Sequence, residues 1–217
     1  MAYLKRQKVP KTWPITRKGT AYVVKPSSNL KNGIPIVIAL RDMLNLAQNR
    51  KEVKKAILEK IILINKMSVK NDRKAMVLFD VLSIVPSKKD YRLIINERGK
   101  FKLEEINEGE AGKKLAKIIN KKTLKGKKVQ LNLSDGRNIL SKEKHNIGDS
   151  LILTFKENKI EKTLPLKDNS NVLIFSGKHS GTKGKIVKLN KESKTAEIDT
   201  GEKGKINVLI KQLMVIE

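Results

Sequence analysis

Apolar positions along this chain come in short blocks, and their spacing changes from the front to the back. Over residues 1–34 they have no regular period. Pro10, Trp13, Pro14, Tyr22 and Pro26 interrupt a basic run there, which reads as an extended arm with no core of its own. Over residues 35–48 the period becomes helical: Ile36, Leu40, Met43, Leu44 and Ala47 share one face, Pro35 suits the first turn, and Arg41 and Asn45 lie off the stripe. Asn49 is an N-cap candidate for a second helix over residues 50–59. That helix points Val53, Ala56 and Ile57 inward and Arg50, Lys51, Lys54 and Lys55 outward. Ile61-Ile62-Leu63-Ile64 is β-branched and too short for a helix, so it predicts a strand turned by Asn65-Lys66. Met76 to Val85 predicts another strand region, stopped by Pro86.

From Tyr91 the pattern is mostly β. Tyr91–Asn96 and Lys100–Ile106 flank Glu97-Arg98-Gly99, a hairpin signal. Ala111–Asn120, with Leu115, Ile118 and Ile119, predicts a short helix, and a basic stretch from Lys121 to Lys128 follows it. Val129–Leu133 and Asn138–Leu140 surround Asp135-Gly136, read as a two-residue hairpin turn. Ser150–Phe155 and Ile160–Leu164 flank one more turn, and residues 167–171 read as a linker. Four strand-like runs close the chain (Val172–Phe175, Lys185–Leu189, Thr195–Asp199 and Lys205–Val208), a spacing that suits a small barrel.

Charge narrows the function. The chain has 48 Lys+Arg against 22 Asp+Glu, a net charge of +26 and a pI of about 10.1. Such an excess disfavours the compact state unless a polyanion neutralises it, and nucleic acid is the leading candidate. The first forty residues contain Lys5, Arg6, Lys8, Lys11, Arg17, Lys18, Lys25 and Lys31 and no carboxylate. Lys outnumbers Arg 40 to 8, which favours phosphate contact over bidentate base reading. Aromatic residues make up 4%, which argues against base stacking as the main binding mode. Apolar runs are too short to span a bilayer, and no secretory h-region is expected at the front. Without cysteine there are no disulfides or zinc ribbons. With only His145 and His179, both read as surface residues, a metal site is not expected. The picture is a soluble intracellular protein.

Two clusters could carry binding. Arg41, Arg50, Lys51, Lys54 and Lys55 gather around one helical corner, offset by Glu52 and Glu59, and could sit on folded RNA through phosphates; a solvated helix face is the plain alternative. In the segment 175–187, Gly177, Gly181 and Gly184 allow positive φ and close backbone approach, while Lys178, Lys183 and Lys185 put charge on the same loop, beside His179. A nucleotide-binding P-loop fits poorly, because that motif needs four residues between its glycines and a closing Gly-Lys-Ser/Thr, whereas Gly184-Lys185 is followed by Ile186 and a strand; a basic loop touching RNA fits better, with a purely structural turn as the plain alternative. Asp42, Asp80, Asp135 and Asp149 are scattered near turns and caps, Asp135 being explained by its hairpin. No acid/base pair or nucleophile triad stands out.

These residues resemble the archaeal/eukaryotic-type S-four-e family of the small ribosomal subunit. The front matches through Leu4-Lys5-Arg6, Pro10-Lys11, Trp13, Gly19, Pro26-Ser27, Pro35 and Leu40-Arg41. The middle matches through Asp80-Val81, Ser83-Ile84, Tyr91-Arg92-Leu93-Ile94, Gly99 with Phe101, Asp135-Gly136-Arg137 and Gly148-Asp149. The tail is similar to a KOW-type module through Gly177, Gly181 and Gly184. Asn29-Leu30-Lys31-Asn32-Gly33 stands where the family often has a Gly-Pro-His-like stretch, and Lys66 stands where a turn glycine is usual. The basic C-terminal extension of many relatives is expected to be lacking.

The resemblance implies an α+β protein in four parts: an extended basic N-terminal arm over 1–34, a two-helix S-four-like RNA-binding unit over 35–85, a central β domain over 86–168, and a C-terminal SH3-like KOW barrel over 169–217. It implies a cytoplasmic, non-enzymatic component of the ribosome. Its partners would be small-subunit ribosomal RNA and neighbouring small-subunit proteins, with no cofactor, membrane or small-molecule substrate. The expected RNA-binding residues are Lys5, Arg6, Lys8, Lys11, Trp13, Arg17, Lys18, Lys25, Arg41, Arg50, Lys51, Lys54, Lys55, Lys178, His179 and Lys183. Deleting residues 1–30 should weaken RNA association and spare the folded body. Two rivals use the same modules. An RNA-modifying enzyme would need a catalytic domain for which little chain remains, and a KOW-bearing transcription or assembly factor would leave the basic front unexplained.

Overall fold

The computed structural model describes residues 3–124, 128–155, 159–190, 192–201 and 204–217. It is a mixed α/β chain with two short helices and many strands, divided into two compact units. The first unit runs to Gly112 apart from Glu97–Gly99, and the second holds Glu97–Gly99 and everything from Lys113 onward.

In the first unit, β1 (Tyr3–Lys5) pairs antiparallel with β2 (Tyr22–Val24). β3 (Gly33–Pro35) leads into α1 (Ile36–Ile38), which widens at once into a π-helical turn over Ala39–Met43. α2 (Arg50–Leu58) follows. Then come β4 (Ile62–Ile64), β5 (Met67–Ser68), β6 (Ala75–Val77), β7 (Val81–Ile84), β8 (Lys89–Ile95) and β9 (Phe101–Ile106). β3 pairs with β6, and the other five form an antiparallel sheet in the order β5-β4-β7-β8-β9. Its interior is aliphatic, with Ile34, Ile36, Val37, Ile38, Met76, Leu82 and Leu93 fully buried.

The second unit stacks two five-stranded antiparallel sheets in sequence. β10 (Lys113–Thr123), β11 (Val129–Leu133), β12 (Asn138–Ser141), β13 (Ser150–Thr154) and β14 (Ile160–Leu164) take the order β12-β11-β10-β13-β14. β15 (Asn171–Ile174), β16 (Lys183–Asn190), β17 (Thr195–Asp199), β18 (Lys205–Leu209) and β19 (Leu213–Val215) take the order β18-β17-β16-β15-β19. Inward residues of the last five strands share one core (Val172, Ile174, Ile186, Ala196, Ile198, Val208, Leu213 and Val215), to which β14 adds Leu164. A second core gathers Ala116, Ile118, Leu131, Leu133, Leu151 and Leu153.

Several expectations change. The front segment is not an extended arm: it belongs to the first unit, Leu4 and Val23 are buried on one face of the β1–β2 pair, and Trp13 is 2% exposed. The Trp13 indole donates to the Gly33 carbonyl at 3.0 Å, and the Phe101 amide donates to the Thr12 carbonyl at 2.7 Å. Removing residues 1–30 therefore takes side chains out of a packed core rather than trimming a tail. The front apolar residues are few, but they pack on a core that the rest of the unit supplies.

The predicted helix at 111–120 is the eleven-residue strand β10. Alternation along the strand buries Ile118 and leaves Ile119 56% exposed, and the pairing with β11 shifts register between Ile118 and Asn120. The stretch from Met76 to Val85 is two strands, broken where Phe79 takes φ 65° and Asp80 accepts from the Val77 amide at 2.6 Å. The turn at Asp135-Gly136 has three residues, since Leu133 and Arg137 close it and only Gly136 has positive φ. Asn65 and Lys66 take φ of 53° and 61°, the all-positive geometry of a two-residue hairpin turn, even without glycine. The first helix is buried all round, not along one stripe, and Pro35 sits at its N-cap. β19 was not among the expected strands. Of the basic stretch, residues 125–127 lie outside the described residues.

Candidate nucleic-acid interface

The helical corner is built as its residues dictate. Asn49 caps α2 by accepting from the amides of Lys51 (2.9 Å) and Glu52 (3.1 Å), leaving the helix fixed at its start. Val53 and Ile57 anchor one face, which turns Lys51, Lys54 and Lys55 to solvent. Lys55 has only a loose partner in Glu59 at 3.9 Å. Arg41 and Arg50 differ from these three. Arg41 forms a two-pronged pair with Asp42 at 2.8 and 3.1 Å. Arg50 is hydrogen-bonded to the buried Asp72, a bond that holds its guanidinium above the ordinary value against the opposing effect of burial. Both are partly spent on protein carboxylates.

On the β1–β2 pair, alternation puts Tyr3, Lys5 and Tyr22 on the outer face. Arg6 is turned inward along the following loop, donating to the carbonyls of Thr16 and Thr20 at 2.7 Å each and to the Thr20 hydroxyl at 3.0 Å. It braces the loop that presents Arg17 and Lys18. Lys5, Arg17, Lys18 and Tyr22 border an open concavity of about 670 Å³. Lys8 and Lys11 are exposed and Lys25 is half-buried. Among the described residues, none of Lys5, Arg17, Lys18, Lys51 and Lys54 forms an ion pair. Trp13 is unavailable to RNA because it is buried.

In the second unit, Lys178 and Lys183 are exposed and His179 is half-buried. Lys178 and His179 border a cleft of about 260 Å³ with Asn207 and Gln212. Gly184 is required by packing: a Cβ there would lie 2.5 Å from the Asp199 carbonyl oxygen. His145 is a correction, since its side chain is 2% exposed and its Nε2 lies 3.0 Å from the Ser141 hydroxyl.

Two lysines that carry much of the buried polarity were not anticipated. Lys114 and Asp135 form a buried pair at 3.0 Å, with Arg137 at 3.4 Å from the same carboxylate oxygen. Burial pushes the Asp135 carboxyl up, and the Lys114 ammonium with the Arg137 amide and guanidinium outweighs it, leaving the group below its usual range. Lys117 donates to the carbonyls of Ile210 and Leu213, the latter at 2.7 Å, and burial lowers its ammonium to about 8. Among the described residues no three His, Cys, Asp or Glu side chains could hold a metal ion, and no helix is long and apolar enough to cross a membrane.

The family description Ribosomal family S4e matches residues 87–160, and the RS4NT domain matches residues 3–28. The small ribosomal subunit protein eS4 of Methanothermobacter thermautotrophicus is 38% identical over 99% of this chain and 91% of its own length. The chain belongs to the S4e family. The eS4 of Methanosphaera stadtmanae, another relative, is 37% identical over 99% of this chain and 91% of that protein. The 30S ribosomal protein S4e of Thermoplasma acidophilum shares the fold, with a TM-score of 0.74 at 21% identity over 86% of this chain and 95% of that one. The two profile matches fall on the front hairpin and on a segment spanning β8 to β14, so the family signature touches both compact units.

Proposed function

We propose that this S4e-family chain is a structural, non-enzymatic component of the cytoplasmic small ribosomal subunit. It binds small-subunit ribosomal RNA mainly through phosphates and helps hold the folded particle beside neighbouring ribosomal proteins. The observation that carries the reading is identity of 37–38% to two archaeal eS4 proteins along 99% of the chain. Exposed cations give it a physical basis: Lys5, Lys8, Lys11, Arg17 and Lys18 at the front, Lys51, Lys54 and Lys55 on α2, and Lys178 and Lys183 in the second unit. Cations that release counterions from an RNA backbone drive association without a preformed pocket. The finer division follows the same reading, with α1 and α2 as the S-four-like unit and β15–β19 as a KOW-type SH3-like barrel. Its support is the common core of those five strands and the Gly177–Gly184 loop. Arg6, Arg41 and Arg50 act by shaping these surfaces, and His179 borders one.

The test is sedimentation of native lysate through sucrose at moderate and high salt, with the chain detected by antibody. Comigration with small subunits at about one copy each, retained after the salt wash, is expected. Free protein at both salts would contradict the proposal and reopen the modifying-enzyme and assembly-factor readings.

A further inference from the structure

Tyr3 and Tyr22 are 60% and 59% exposed, the most open aromatic side chains among the described residues. They sit diagonally across the β1–β2 pair, with ring centroids 6.3 Å apart and planes tilted by 59°. Their exposure is not needed to bury the hairpin, because Leu4 and Val23 do that from the opposite face. Lys5 is directly opposite Tyr22 and two residues on from Tyr3, and Arg17 and Lys18 border the concavity that reaches Tyr22. An exposed aromatic pair thus stands beside cations, the combination that single-stranded nucleic acid binds through base stacking and phosphate contact together.

Cross-strand packing alone is the simpler account of the pair, and it would be worth little beyond area burial. It does not explain why the pair stands beside three cations that form no ion pair among the described residues. The tilt also limits the mode. Rings at 59° leave no parallel slot for an intercalated base, so a base can lie only against an outer ring face. A base can do so only when it is free of its own stack, as in a loop, bulge or strand end.

We infer that Tyr3 and Tyr22 form a stacking platform for unpaired RNA bases, with Lys5, Arg17 and Lys18 holding the adjoining phosphates. The inference rests on the RNA-binding reading above and adds what the cations alone do not supply, a preference for single-stranded over paired RNA at this surface.

The test uses the full chain, a labelled oligouridylate of about ten nucleotides, and the same strand annealed to its complement, with fluorescence anisotropy across a range of salt. Tyr22→Ala and Tyr3→Ala each weaken single-strand binding by about tenfold and leave the salt slope unchanged, because stacking releases no counterions. Tyr22→Leu keeps the apolar bulk on the hairpin yet loses affinity like Tyr22→Ala, whereas Tyr22→Phe stays within about twofold of the parent. Duplex affinity is unaffected by any of them. Unchanged single-strand affinity in Tyr22→Leu and both alanine variants, with parental binding and slope intact, overturns the platform and leaves the phosphate reading standing. A loss in Tyr22→Phe as large as in Tyr22→Ala, or an equal loss on duplex, also overturns it. A parent chain that binds neither RNA with any salt dependence overturns both readings. Thermal unfolding matching the parent shows that the leucine and phenylalanine variants keep their fold.

Discussion

The lysines of α2 and the lysines of β10 are the same residue in opposite circumstances. On α2, Lys51, Lys54 and Lys55 stand in water on a helix fixed by an Asn49 cap and two buried aliphatics. On β10, Lys114 and Lys117 are inside, one held by Asp135 and the other by two backbone carbonyls. A net charge of +26 therefore overstates what the chain can offer to a polyanion. The exposed lysines cost folding little and keep their charge open to solvent. The buried ones are parts of the architecture, and each carries a desolvation penalty that its partners must offset.

The largest effect that would sharpen this contrast is at the buried pair. Lys114→Met leaves the Asp135 carboxylate buried with Arg137 alone, and about 3–5 kcal/mol of stability should be lost in urea unfolding. A loss below about 1 kcal/mol, the range of an exposed pair, would mean the pair is effectively solvated. Trp13→Ala should cost a comparable amount, about 3–5 kcal/mol, because it empties a buried site and orphans the Gly33 carbonyl. Near-parental stability in that variant would restore the picture of a detachable arm.

A smaller effect concerns pH. The Lys117 ammonium is lowered to about 8 in the folded chain from an ordinary 10.5. Between those values the unfolded chain binds more protons, so this residue makes stability rise as pH increases from about 8 toward 10.5, and it penalises the fold most below that window. Lys117→Met should flatten that rise in denaturant titrations at stepped pH; an unchanged pH profile would show that Lys117 stays charged when buried. At the bottom of the scale, the triple variant Lys51→Gln, Lys54→Gln, Lys55→Gln should shift stability by no more than about 0.5 kcal/mol. A loss of several times that would mean these side chains belong to the fold.

The contrast also explains what was legible in the sequence. The α2 cap and the β8–β9 hairpin could be read because local chemistry decides them: an Asn before an apolar period, and Gly99 between two alternating runs. The front hairpin could not, since β1 and β2 have three residues each and lie some sixteen positions apart, too short for alternation to register. Ile118 and Ile119 read as helical because adjacent apolar residues fit a helical stripe, whereas on the strand they point to opposite faces, one buried and one exposed. Lys114 meets Asp135 from 21 residues away and Lys117 meets two carbonyls 93 and 96 residues away, so only the folded sheets bring these partners together, while His145 is turned inward beside Ser141, four residues before it. Of the candidate site, the α2 lysines kept their expected exposure, whereas Trp13 turned into the core and Arg6, Arg41 and Arg50 were engaged within the protein. The tyrosine pair was masked by a low aromatic content that says nothing about where the aromatics stand.

The most direct test of the central claim is the affinity of the chain for small-subunit ribosomal RNA, measured against salt for the parent, for the α2 triple glutamine variant and for Lys117→Met. The account predicts that the triple variant loses roughly 0.7 to 0.9 of slope for each lysine that meets a phosphate, while Lys117→Met keeps the parental slope. Equal slopes in all three would contradict the division between lysines that serve the RNA and lysines that serve the fold.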